Sequence, residues 1–66
     1  MARREVESGQ KYRQPESSVI WVVVDMTQDA EGIAHARLVR FDDATAVKMI
    51  SVSALKDPRL YKAVEE

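Results

Sequence analysis

The chain has no cysteine and a single histidine, so neither a disulfide nor a thiolate or multi-histidine metal site is available to staple it. Its 66 residues make one domain at most, and a chain so short buries only about 60% of the surface that its unfolded form exposes. A small core, or a second chain, must supply the stability. Ten Lys and Arg against eleven Asp and Glu leave a formal net charge of −1, with both signs mixed along the sequence. The basic excess from which a duplex binder draws its affinity, by neutralising phosphates, is missing. No apolar run approaches the length of a bilayer span: residues 19–24 are the longest, and Arg3-Arg4 has no apolar stretch behind it. The expectation is a soluble cytoplasmic protein with no cofactor, no metal and no membrane partner.

What is present is β-structure. Residues 19–24, all β-branched except Trp21, lead through Gln28-Asp29-Ala30-Glu31-Gly32 into an alternating run from Ile33 to Phe41. That pattern predicts a long hairpin. If Gln28 to Gly32 form the loop, with Gly32 taking positive φ, Thr27 faces Ile33 and the register follows. Met26 then meets Ala34, Val24 meets Ala36 and Val22 meets Leu38, which with Ile20 make the expected core face. The opposite face pairs Asp25 with His35, Val23 with Arg37, Trp21 with Val39 and Val19 with Phe41. A slip of one residue would exchange the two faces.

The flanks are shorter. Residues 1–8 carry one isolated Val6 among polar side chains and are expected to be a mobile tail, with structure beginning near Gly9. Residues 9–13 read as a first strand presenting Tyr12, ended by Pro15. Asp42-Asp43-Ala44-Thr45 is a turn by composition, and residues 46–53 read as a fourth strand with Ile50 and Val52 inward and Lys48 outward. Residues 53–57 suit one helical or 3₁₀ turn before Pro58, with Leu55 plugging the end of the core. Residues 59–64 close as a short strand, although Asp57 as a cap and Pro58 behind it also permit a terminal helix.

Five short strands, a long central hairpin and a helical turn before a brief last strand form an order that resembles SH3-like small barrels. The segments carrying the likeness are Gly9-Gln10-Lys11-Tyr12, Ile50-Ser51-Val52-Ser53-Ala54-Leu55 and Tyr61-Lys62-Ala63-Val64. The chain is also similar to short uncharacterised bacterial and phage-associated proteins with this opening and closing. The resemblance spans residues 9–64 and implies an all-β, five-stranded SH3-like barrel with first and last strands adjoining. Such barrels bind proline-rich peptides, modified tails, nucleic acids or partner subunits. This chain lacks the paired aromatics of a polyproline groove, and its four aromatics fall short of a dedicated methyl-lysine cage.

Two surfaces are candidates. Trp21, Val23, Val39 and Phe41, with His35 and Arg37 beside them, combine aromatic, aliphatic and cationic side chains of the kind that anchor protein interfaces, or else Trp21 fills the core of a coiled hairpin. Lys11, Arg13, Arg59 and Lys62 are the candidate basic surface, since they gather where first and last strands meet, and they are the place for a nucleic-acid contact. Asp25, His35 and a nearby Ser51 or Ser53 suggest a Ser-His-Asp arrangement, but no nucleophile elbow accompanies them. Asp25, Asp29, Glu31, Asp42 and Asp43 lack the alternation of a calcium loop. The expected function is a non-enzymatic interaction module that docks on a protein partner or self-associates, with nucleic-acid binding as the alternative.

Overall fold

The computed structural model describes residues 6–64. Five strands form: β1 (Lys11–Arg13), β2 (Trp21–Gln28), β3 (Ala34–Arg40), β4 (Asp43–Ser51) and β5 (Lys62–Val64), with one helical turn, α1 (Val52–Leu55), between β4 and β5. All pair antiparallel in one sheet of order β4-β3-β2-β1-β5. No ladder joins β4 to β5 among the described residues, so these two strands are the edges of an open sheet. No helix among the described residues is long and apolar enough to cross a membrane.

The β2–β3 turn is built by two residues. The Asp29 carboxylate accepts hydrogen bonds from the backbone N–H of Glu31 at 2.9 Å and of Ile33 at 3.0 Å, the local bonding that makes Asp a turn former. Gly32 supplies a φ of 81°, a conformation that side-chain-bearing residues resist. These constraints place Gln28 opposite Ala34 and Met26 opposite Ala36, two residues away from the expected register.

A β-bulge at Val24 then overturns the expected core face. The ladder shifts between Val23 and Asp25, so that Val23 faces Leu38 and Val22 faces Val39. One extra residue in a strand exchanges the faces of everything beyond it. Val23 is therefore buried at 1% exposure beside Ala36 and Leu38, whereas Val24 at 40% and Met26 at 44% are exposed and Val22 is half-buried. The four residues expected to lead the core, Ile20, Val22, Val24 and Met26, are not in it.

Val23, Ala36 and Leu38 pack with Tyr12, Leu55, Tyr61 and Val6 on the inner face of the sheet, and Trp21, Ile50 and Val52 lie against them. Val6 is 5% exposed, so the core extends into the segment expected to be tail, and residues 1–5 of that expectation lie outside the described residues. Gly9 turns the chain onto β2 with a φ of 92°, and its N–H donates to the Val23 carbonyl at 2.8 Å.

The fourth strand starts earlier than expected, because the β3–β4 turn is confined to Phe41 and Asp42. Arg40 pairs with Asp43 and then Val39 with Val47, so residues 44–46 form a second irregularity within β4. Asp43 stabilises it by accepting from Thr45 Oγ1 at 2.6 Å and from the Thr45 backbone N–H at 3.1 Å. Ser51 ends the strand and caps α1, its hydroxyl accepting from the Ala54 N–H at 3.2 Å, so Val52 is helical rather than extended. Leu55 does plug the core, and residues 62–64 form the closing strand.

Candidate functional site

Cross-strand partners project from the same face of a sheet, so the register sorts the side chains. The inner face carries the Tyr12–Trp21 pair and the rows Val23–Leu38–Lys48 and Met26–Ala36–Ile50. The outer face carries Val64–Lys11–Val22–Val39–Val47 across all five strands, with Asp25–Arg37–Met49 and Thr27–His35–Ser51 as the next rows over β2, β3 and β4. Val47 and Met49 are 53% and 52% exposed, and Val22, Val39 and Val64 are half-buried.

The first candidate surface is thereby divided between the two faces. Val23 is core and lines no surface. Trp21 is half-buried on the inner face, with the Lys48 ammonium 4.2 Å from its ring centroid. The same ammonium stands 5.4 Å from the Tyr61 ring, a double cation–π contact that the expected outward orientation of Lys48 would not allow. His35, Arg37 and Val39 lie together on the outer face. Phe41, at the β3–β4 turn, is 63% exposed, with the Lys11 ammonium 5.2 Å from its ring.

Asp25 and His35 are not neighbours. The Arg37 guanidinium takes Asp25 in a two-armed contact, Nε donating to Oδ1 at 3.2 Å and Nη2 to Oδ2, which raises the Arg37 pKa above its ordinary value. His35 Nδ1 lies 3.1 Å from the Ile33 carbonyl and 4.0 Å from Asp29 Oδ2. The Asp29 carboxyl is held below the usual range chiefly by the Ile33 N–H, with Glu31 N–H and His35 adding to the effect. Ser51 faces His35 across β3 and β4, yet its hydroxyl caps α1 and lies 3.4 Å from Ser53 Oγ. The Ser-His-Asp arrangement suggested by the sequence is thus not assembled. Among the described residues no group of three or more acids and histidines converges as a metal site would require.

The basic set is brought together in part. Arg13 and Lys62 are direct partners and Lys11 sits two residues along β1, as the adjoining of first and last strands predicts. Arg59 is turned aside: its Nη2 donates to Asp57 Oδ2 at 3.1 Å and its Nε to Oδ1 at 3.2 Å, which raises Arg59 and lowers Asp57. Arg13 Nη1 lies 3.4 to 3.5 Å from the carbonyls of Gln14, Pro15 and Ser17 and so braces the β1–β2 loop.

An open groove of about 680 Å³ runs between α1 and β5, floored by Tyr12, Leu55, Pro58 and Tyr61 with Lys56 and Lys62 among its walls. Sequence patterning marks Leu55 and Tyr12 as buried residues but gives no sign that a concavity forms around them. The larger omission is Val47 and Met49, whose alternation with Lys48 is visible in the sequence and whose exposure depends on the register. Compared with family models, curated proteins and solved structures, the chain shows no match in any of the three.

Proposed function

We propose that the chain is a non-enzymatic, SH3-like interaction module that works by self-association centred on the exposed outer side of β4 and the strands beside it. One observation carries this reading: the apolar row Val22–Val39–Val47, with Met49 alongside, lies on a face that no strand or helix among the described residues covers. Of the exposed large apolar side chains, Val47 and Met49 lie on this face, and Phe41 stands at the β3–β4 turn against Lys11 of the same face. A surface of that kind marks an interaction site.

A second copy suits this face in charge as well as in hydrophobicity. Over β2 and β3 its charges are the mutually paired Asp25 and Arg37, which a two-fold axis can exchange between copies, while Lys11, Arg13 and Lys62 are grouped at the β1–β5 end, away from β4. The barrel reading is supported by the place of β5 beside β1 and by Lys48, which reaches from one edge strand to Tyr61, the residue just before the other. Sedimentation velocity from micromolar to millimolar chain is the test. Dimer should accumulate with concentration, and Val47→Glu combined with Met49→Glu should abolish it while circular dichroism stays unchanged. A strict monomer throughout would end the proposal.

The juxtaposition of Lys11, Arg13 and Lys62 favours a second reading, nucleic-acid binding at the β1–β5 end. Its test is binding to mixed single-stranded and duplex oligonucleotides at two salt concentrations, since phosphate contacts weaken steeply with salt. No binding at micromolar chain in low salt would remove it.

A further inference from the structure

Building on the self-association reading, we propose that two copies join edge to edge through β4, antiparallel about a two-fold axis at Met49, so that one sheet continues into the next. The two edges of the sheet are unequal, nine residues in β4 against three in β5. Among the described residues, β4 alone presents a row of backbone groups long enough to template another strand. Of its three outward side chains in the regular stretch, Val47, Met49 and Ser51, the first two are also among the most exposed apolar groups of the described residues.

Register follows from regularity and charge. Residues 47–51 pair with β3 without interruption, whereas residues 44–46 are displaced from the ladder. An axis at Met49 uses only the regular residues: Met49 meets the partner's Met49, Val47 meets the partner's Ser51, and Lys48 meets the partner's Ile50. No like charges stand opposite one another. An axis at Lys48 would set ammonium against ammonium, which destabilises a strand pair, and an axis at Val47 would bring the displaced Thr45 into the ladder.

Proteins usually blunt an exposed edge with Lys or Pro. The irregularity at residues 44–46 interrupts the start of this edge, but along residues 47–51 the side chains that would blunt it are out of position. Lys48 is the only charged residue in the regular stretch, and it is laid back across Trp21 and Tyr61 on the inner face, while the nearest proline on this side is Pro58, beyond α1. Pairing at β4 also joins the outer rows of the two copies side by side, with Val47 and Met49 at the seam.

The absence of native cysteine permits a clean test with single-cysteine variants, Met49→Cys and Val22→Cys, each checked for fold by circular dichroism and oxidised under identical conditions. Directly facing residues of an antiparallel pair have Cα atoms about 4.5–5.5 Å apart, within disulfide reach, so Met49→Cys should cross-link at least about tenfold faster than Val22→Cys, two strands inward on the outer face. Equal or faster cross-linking of Val22→Cys would mean that the sheets stack face to face, which overturns the edge pairing and leaves self-association standing. Wild-type chain that sediments as monomer at every concentration overturns both. Amide hydrogen exchange of the unmodified protein gives an independent reading: the solvent-directed β4 amides should gain at least about tenfold protection between dilute and concentrated samples, and unchanged exchange across a dimerising range overturns the edge pairing.

Discussion

Leu38 is fully buried on a central strand, facing Val23 across β2 and Lys48 across β4, and few other side chains share its degree of enclosure. Leu38→Ala should cost about 2–5 kcal/mol, a range that reaches the whole stability of many small domains. Far-ultraviolet circular dichroism of the variant at 25 °C should show a substantially unfolded chain. The three carboxylates with depressed pKa values act at the same scale and in the opposite setting, on the exposed turns. Asp29 is held down by turn amides, Asp43 by Thr45 and Asp57 by Arg59, the side-chain bond first in the last two. A carboxyl with a folded pKa below its unfolded value favours the native state above the unfolded pKa, about 3.9 for Asp, and loses that contribution as pH falls through the folded value. Stability should therefore decline below about pH 4, and carboxyl ¹³C titration should place the midpoints of Asp29, Asp43 and Asp57 below the ordinary range.

The hairpin shows how far the sequence determines an element. Its two strands and the Asp29–Gly32 turn are legible because β-branched residues, alternation and turn formers coincide there. Its inward face is not legible. Val22, Val23 and Val24 are chemically identical, so no pattern distinguishes the residue that enters the core from the one that bulges out, and the bulge exchanges the faces. The candidate surface that includes Trp21 and Val23 is divided at that point, while Val39, Arg37 and His35, on the unbulged partner strand, keep one face. For Lys48 the parity was available, since a residue two before an inward Ile50 shares its side, but a lysine is expected in water until the aromatic rings that receive it are located. The turn itself is testable. A Cβ at Gly32 would meet no other atom, so Gly32→Ala isolates the backbone cost of a φ of 81°. That cost should be about 1 kcal/mol and appear as a lowered urea midpoint with an unchanged slope.

The molecule as a whole measures 34 × 32 × 19 Å, a thin slab in which much of the apolar complement lies at the surface. If association buries that surface, folding and assembly are linked, and the midpoint of thermal unfolding should rise with chain concentration while the Val47→Glu, Met49→Glu chain melts at one temperature throughout. Differential scanning calorimetry over a hundredfold range, roughly 2.7 kcal/mol of mass action, would make the difference plain. The unequal edges also bear on where such assembly stops. A sheet with two long edges that recruits strands can go on recruiting them, which is the route to fibres. On the edge-pairing proposal, joining at β4 would use residues 47–51 of both copies and leave β5, three residues long among those described, at either end of the product. The described part of β5 would then act as a chain terminator: it offers a third member a far shorter template than β4 offers the second, and growth would favour the pair.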